Sequence, residues 1–126
     1  MKTAAAFTLA VQTGDQAQLA ALLHPDVQWY QPGNNSLSGI KQNRDEVFAM
    51  VGKMFAISEG TLRLTDIKFL AQNGDSVACL LHFTAEREGA RLDVDNVDVY
   101  TVRDGLIVEA KIYSEDIDQE DTFWGK

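Results

Sequence analysis

Residues 61–114 read TLRLTDIKFLAQNGDSVACLLHFTAEREGARLDVDNVDVYTVRDGLIVEAKIYS, and this segment is the strongest indication of the fold. Apolar and polar residues alternate through most of it, which is typical of strands that bury one face. The apolar residues change from even to odd positions between Leu64 and Ile67, and this change predicts a bulge in the strand. Asn73-Gly74 is a strong hairpin signal, and two later turns also contain glycine. The stretch therefore predicts four antiparallel strands joined by short turns.

The preceding residues carry helical signals. Apolar spacing predicts a first helix over residues 3–13, and Gly14 would end that helix. Asp15 is placed to cap a short second helix, and Asn43 to open a third. A short strand over residues 27–31 separates the second helix from the third.

Helices followed by a run of strands indicate an α+β domain with the helices on one face of the sheet. We therefore predict one domain over residues 1–126, a cone-shaped curved antiparallel sheet wrapped around three N-terminal helices. The mouth of such a cone is where a small ligand would enter.

The composition of the chain limits the classes of partner that it is expected to bind. The formal net charge of −8 argues against binding to nucleic acid or to an anionic membrane surface, and it favours a neutral or cationic ligand. Cys79 is the one cysteine, so no intramolecular disulfide can form. The short apolar start continues as a helical pattern, so we expect a helix there and a cytoplasmic protein. The spacing of the histidines and carboxylates predicts no metal site, and no cofactor motif is present.

Several short motifs, taken in order, resemble the SnoaL-like family of the nuclear transport factor 2-like superfamily, which includes ketosteroid isomerase and polyketide cyclases. They are Asp26-Val27-Gln28-Trp29, Pro32-Gly33, Leu37-Ser38-Gly39, Arg44-Asp45-Glu46-Val47, Arg103-Asp104-Gly105-Leu106-Ile107-Val108-Glu109 and Phe123-Trp124. The resemblance covers nearly the whole chain and implies the cone-shaped fold. It leaves the reaction open, because this fold carries enzymes, binding proteins and association modules.

Three positions resemble the catalytic positions of ketosteroid isomerase. The resemblance places Asp98 where that enzyme has an aspartic acid that donates to an oxyanion. Phe7 stands at the tyrosine position and has no hydroxyl. Gln31 stands at the position of the carboxylate base and cannot abstract a proton at neutral pH. Glu115 is the nearest match to the acidic residue of the polyketide cyclases. The steroid isomerase reaction is therefore not expected.

The family resemblance places the Asp98 face of its strand inward. With that face fixed, alternation along the strands predicts which residues line the pocket. A carboxyl buried there has a raised pKa and could donate a hydrogen bond or act as a base. His82 is the second catalytic candidate, because its pKa lies near working pH, although its facing depends on which turn sets the register. The expected ligand-binding residues are Phe7, Trp29, Tyr30, Gln31, Asn96, Tyr100, Lys111 and Tyr113.

Three functions fit this pattern. The first is a cofactor-free enzyme that transfers protons next to the carbonyl of a small apolar molecule, as in isomerisation, cyclisation or dehydration. The second is a non-catalytic binder of small molecules, and the third is a dimeric association module. A homodimer is expected in each case, through an outward-facing apolar set on the last strand that consists of Leu106, Val108, Ala110 and Ile112.

Overall fold

The computed structural model describes residues 1–126 and contains four helices and six strands. The helices are α1 (Lys2–Thr13), α2 (Gln16–Leu22), α3 (Arg44–Ile57) and α4 (Ile117–Trp124). The strands are β1 (Leu23–Gln31), β2 (Gly39–Lys41), β3 (Arg63–Asn73), β4 (Ser76–Arg87), β5 (Ala90–Arg103) and β6 (Leu106–Ser114). None of the helices is long and apolar enough to cross a membrane.

The six strands form one sheet in the order β2-β1-β6-β5-β4-β3. The predicted α+β fold class is confirmed, and β3 to β6 are the four expected antiparallel strands. The sheet as a whole is mixed, because β1 lies parallel to β6. A parallel pair needs a long connection, and this one is supplied by all the chain between β1 and β6. Alternation along a single strand carries no information about such a partner.

The bulge predicted in the first long strand is confirmed. The pairing of β3 with β4 shifts register between Leu64 and Asp66 and again between Ile67 and Phe69. A similar shift separates Thr101 from the residue after it in the pairing of β5 with β6. A register shift arises where one strand has an extra residue, and it reverses which of the following side chains face the helices. These shifts therefore determine which residues form the inner face of the sheet.

The predicted helix boundaries are confirmed by their caps. Gly14 ends α1 in the left-handed conformation, with φ of 73°. The Asp15 side chain accepts a hydrogen bond from the Gln18 backbone at 3.1 Å, which caps α2. The Asn43 side chain accepts one from the Glu46 backbone at 2.8 Å, which caps α3. These contacts satisfy backbone N–H groups that have no partner within the helix.

The acidic end of the chain forms a fourth helix, which is not among the three predicted from the sequence. Asp116 caps α4 by accepting a hydrogen bond from the Gln119 backbone at 3.0 Å. Phe123 and Trp124 are buried in the core, and Glu120 is buried on the same face of the helix. The spacing of these three residues, i, i+3 and i+4, is that of one helical face. Helix α4 therefore contributes to the core that α1 and α3 form with the inner face of the sheet.

Candidate functional site

A cavity of about 500 Å³ lies between the inner face of the sheet and the helices. Most of the residues that line it are apolar. Its helical wall comes from α1, α2 and α3 and consists of Phe7, Val11, Leu19, Val47, Phe48, Met50, Val51, Met54 and Phe55. This volume is within the range of sites that hold small molecules.

The two ends of the cavity differ in polarity. The exposed residues that line it are Gly14 and Gln16, where α1 meets α2, and Gly52 and Phe55 on α3. The cavity therefore opens to solvent between these two segments. The charged and amide side chains, other than Gln16, are buried and belong to the sheet and α4, namely Gln31, Asn96, Asp98 and Glu120. A ligand that enters between these segments would pass the apolar wall and meet polar groups at the closed end.

Asp98 lies on the cavity wall with 5% of its surface exposed. Strand β5 places it there because Leu92, Val94 and Tyr100 share its face, and all are buried. The Tyr100 hydroxyl donates to Asp98 Oδ2 at 2.6 Å, whereas Oδ1 has no hydrogen-bond partner. A buried acceptor without a partner is rare in proteins, and it is free to bind a ligand.

Burial raises the pKa of the Asp98 carboxyl from 3.8 to about 7, because the low-dielectric surroundings disfavour the charged form. The hydrogen bond from Tyr100 opposes this shift, and the nearby Glu120 carboxyl adds to it. Across β4, Cys79 is the direct neighbour of Asp98, and burial raises the pKa of its thiol to about 12. Cys79 is therefore an inert thiol, whereas Asp98 exchanges protons near neutral pH.

Gln31 has an oriented amide at the closed end of the cavity. The Trp29 indole Nε1 donates to Gln31 Oε1 at 3.0 Å. This contact occupies the amide oxygen, so the Gln31 amide nitrogen is the atom available to a ligand. Phe7 packs edge-on against Tyr100, with ring centroids 5.3 Å apart, and both rings contact Trp29 at 6.3 Å. These three aromatic rings hold the polar groups in position.

Glu120 is a residue of the cavity that was not among those predicted from the sequence. It is 3% exposed, lines the cavity, and has a pKa raised by burial, which the Ser114 side chain opposes. With its amide nitrogen facing α4, Asn96 donates to Glu120 Oε2 at 3.1 Å. In the sequence Glu120 is one of five acids between residues 115 and 121. Its spacing to Phe123 and Trp124 is the signal that distinguishes it from the exposed ones.

The structure places His82 away from the cavity. The inner face of β4 consists of Val77, Cys79, Leu81, Phe83 and Ala85, so His82 points to the outer face. There its ring contacts Asp95 at 2.6 Å and Asp93 at 2.5 Å, and Lys68 pairs with Asp95 at 2.8 Å. Hydrogen bonds to the carboxylates raise the pKa of His82. The expectation that His82 acts beside Asp98 is therefore wrong.

Tyr30, Lys111 and Tyr113 are also on the outer face, so their predicted place in the pocket is wrong. Asp98 pairs with Ile112 on β6, and both side chains face inward. The neighbours of Ile112 along the strand, Lys111 and Tyr113, must then face outward. Lys111 Nζ lies 5.5 Å from the centre of the Tyr30 ring, a cation–π contact on that outer face.

The predicted outward-facing apolar set is wrong for Ala110 and Ile112 for the same reason, whereas Leu106 and Val108 are half-buried on either side of the fully buried Ile107. Ala110 is fully buried and Ile112 lines the cavity. Both belong to the inner face. Glu115 is exposed and accepts a hydrogen bond from the Asp95 backbone at 2.8 Å, outside the cavity. The predicted residues that do line the cavity are Phe7, Trp29, Gln31, Asn96, Asp98 and Tyr100.

A helix-covered sheet with a largely apolar cavity on its inner face places the chain among α+β proteins of cystatin-like fold. A solved structure from Xanthomonas campestris, a protein of unknown function with a cystatin-like fold, matches with a TM-score of 0.95 at 39% identity, covering 99% of this chain and 97% of that one. Bal32a, from a soil-derived mobile gene cassette, matches with a TM-score of 0.92 at 26% identity, covering 98% and 95%.

Sequence comparison identifies the family within this class. The SnoaL-like domain matches residues 4–110. An uncharacterized protein of Mycobacterium tuberculosis is 30% identical over 111 residues, which cover 88% of this chain and 85% of that protein. The chain therefore belongs to the SnoaL-like family, and the resemblance stated from its motifs is confirmed.

Proposed function

We propose that this protein is a cofactor-free enzyme that moves a proton next to the carbonyl group of a small, largely apolar molecule. The reaction would be an isomerisation, cyclisation or dehydration. One observation carries the proposal, the buried Asp98 carboxyl with Oδ2 held by Tyr100 and Oδ1 unpartnered on the cavity wall. A fixed carboxyl whose pKa is near 7 has the properties of a general base at neutral pH.

In the proposed step, ionised Asp98 takes a proton through Oδ1 from the carbon next to the carbonyl. The C–H electron pair forms a carbon–carbon double bond, and the carbonyl π pair moves to oxygen to give an enolate. The free Gln31 amide N–H is the proposed donor to that oxygen, in the manner of an oxyanion hole. Protonated Asp98 then returns the proton to a carbon of the enolate system.

A second candidate is a non-catalytic binder of the same molecules. It is favoured by Phe7 and Gln31, which stand where the family resemblance leads one to expect a tyrosine and a carboxylate base. Both side chains line the cavity without supplying a proton-transfer group. The two candidates therefore share a ligand site and differ only in whether Asp98 exchanges protons with the ligand.

The test is α-proton exchange of 2-acetylnaphthalene in D2O, followed by proton NMR. We expect the wild-type protein to exchange the methyl protons faster than buffer does. Asp98→Asn should lower the enzymatic rate by about 100-fold or more, the usual contribution of a general base. The matched control is Asp93→Asn, on the opposite face of the same strand. A ketone that binds in a calorimetric titration but exchanges no faster than in buffer contradicts the proposal and favours the binder.

We also propose a homodimer through the outer face of the sheet. An apolar row crosses four strands there, with Phe69 paired to Leu80, Leu80 to Val97 and Val97 to Tyr113. Phe69 is 56%, Val97 37% and Tyr113 54% exposed. Adjacent exposed apolar side chains of this kind are typical of protein interfaces. The cytoplasmic location inferred from the sequence remains a proposal.

A further inference from the structure

We propose that the cavity accepts amphipathic molecules whose polar end carries no negative charge, and that Glu120 of α4 enforces this selection. The inference rests on the proposed function, because it concerns the ligand of the same cavity. It is independent of turnover, because it concerns binding alone.

The first observation is the set of charged groups around the cavity. No lysine, arginine or histidine side chain lines it, whereas two carboxyl groups do, Asp98 and Glu120. Both acids are buried, at 5% and 3% exposure. A carboxylate or phosphate ligand would thus enter a low-dielectric space that offers no counter-ion.

The second observation is the position of Glu120 beside Asp98. Asn96 and Asp98 are two residues apart on the same face of β5, which corresponds to about 7 Å along the strand. The Asn96 amide nitrogen holds Glu120 Oε2 at 3.1 Å. The carboxyl of Glu120 is therefore fixed close to the polar end of the cavity, within the range over which charges interact through protein.

The third observation is the separation of polar and apolar lining. The apolar side chains of α1 and α3 form the wall between the solvent opening at Gln16 and Phe55 and the polar end at Asp98. An apolar body fits against this wall, and a neutral carbonyl or hydroxyl can hydrogen-bond to the Gln31 amide or to a protonated carboxyl. When they are ionised, the same two carboxyls repel a negative charge placed at this end of the cavity.

The test compares two ligands of matched shape, 2-acetylnaphthalene and 2-naphthoate, by isothermal titration calorimetry of the wild-type protein at about pH 8. We expect the ketone to bind at least about tenfold more tightly than the carboxylate, a modest effect for two charges interacting inside a protein. Equal affinities, tighter binding of 2-naphthoate, or no heat from either ligand would overturn the inference.

The role of Glu120 is tested with Glu120→Gln, which keeps the side-chain shape and removes the charge. We expect the affinity for 2-naphthoate to rise about tenfold and the affinity for the ketone to change by less than about twofold. The matched control is Glu109→Gln, on the outer face of β6, which should leave both affinities unchanged. Discrimination that is identical in wild type and Glu120→Gln overturns the assignment to Glu120, provided thermal melting shows both proteins folded.

These outcomes differ from those that test the proposed function. A protein that prefers the ketone but exchanges none of its protons keeps the charge selection and loses the enzymatic proposal. A protein that exchanges ketone protons but binds 2-naphthoate equally well keeps the enzymatic proposal and loses the charge selection.

Discussion

At the scale of single residues, the hydrogen bond from Tyr100 to Asp98 organises the site. It satisfies one carboxyl oxygen and leaves the other without a partner, in a position that solvent does not reach. Tyr100 itself is buried, and burial together with the Asp98 charge raises the pKa of its phenol well above 10.0. Tyr100 therefore stays protonated, and Asp98 is the group that gains and loses a proton.

The raised pKa of Asp98 makes the stability of the protein depend on pH. The folded protein holds this proton up to a pH of about 7, whereas the unfolded chain releases it near 3.8. The folded state therefore binds more protons between these values, and the free energy of unfolding falls as pH rises through that interval. A difference of roughly three pKa units corresponds to about 4 kcal/mol.

Asp98→Asn removes this titration. As pH rises from about 4 to about 8, the free energy of unfolding of wild type should fall by up to about 4 kcal/mol more than that of the variant. Urea denaturation at the two pH values measures the change, and comparison with wild type subtracts the effect of all other titrating groups. A difference between the two proteins that is the same at both pH values would show that Asp98 titrates as an ordinary surface acid.

For single residues, the sequence predicts which side chains face the cavity only through alternation with their neighbours along the same strand. Asp98 and Asn96 are found from alternation on β5 together with the family resemblance. Alternation on β6 puts Tyr113 on one face and Ala110 and Ile112 on the other, and the family resemblance wrongly turns the Tyr113 face inward. The structure instead buries Ala110 and Ile112. Where an apolar pattern conflicts with a resemblance in weak motifs, the hydrophobic pattern is physically the stronger constraint.

At the scale of elements, α4 closes one end of the cavity and is held by the loop after β1. The Asp121 side chain accepts hydrogen bonds from the Asn34 backbone at 2.8 Å and from the Asn35 amide at 2.9 Å. The Arg87 guanidinium donates to the Phe123 carbonyl oxygen at 2.8 Å. These contacts join segments far apart in the chain, and no local pattern predicts them. The local signal of α4, the helical spacing of Glu120, Phe123 and Trp124, is short and lies among acidic residues, so it does not stand out in the sequence.

Gly33 is the point where the loop approaches α4 most closely. Its φ is 88°, and a Cβ there would lie 2.5 Å from Asp121 Oδ1. We expect Gly33→Ala to lower the free energy of unfolding by about 2 kcal/mol or more, through backbone strain and disturbance of the Asp121 hydrogen bonds. Urea denaturation measures the loss.

Gly105→Ala is the control for that substitution. Gly105 has φ of 76° and nothing within 4 Å of the added Cβ, so only the strain term applies, about 1 kcal/mol. If the two substitutions cost the same, the contact between the loop and α4 does not contribute to stability.

At the scale of the whole molecule, the two faces of the sheet have separate roles. The inner face covers the cavity. The outer face carries the apolar row of Phe69, Leu80, Val97 and Tyr113 beside the ion-paired His82. The sequence predicts the layer arrangement, since hairpins and helix caps are local signals. It predicts neither the parallel pairing of β1 with β6 nor the outer row, because both depend on which strands become neighbours.

The apolar row on the outer face of the sheet predicts that the protein forms a dimer. We expect the wild-type protein to sediment as a dimer at about 50 μM and Val97→Lys to sediment as a monomer, because a charge at the centre of the row cannot be buried without a partner. Ile40→Lys is the control, since Ile40 is 51% exposed on the short strand β2, outside the row. A monomeric wild-type protein, or a dimer that Val97→Lys leaves intact, contradicts the proposed interface.

The central claim is that Asp98 transfers protons to and from a molecule in the cavity. The most direct measurement is the rate of deuterium exchange into 2-acetylnaphthalene as a function of pH, for the wild-type protein and Asp98→Asn. For wild type, the rate should rise to a plateau with a midpoint near pH 7, where the Asp98 carboxyl ionises, and the variant should stay at the rate of buffer. A wild-type rate with no midpoint in that region, or a variant that exchanges as fast as wild type, would contradict the account.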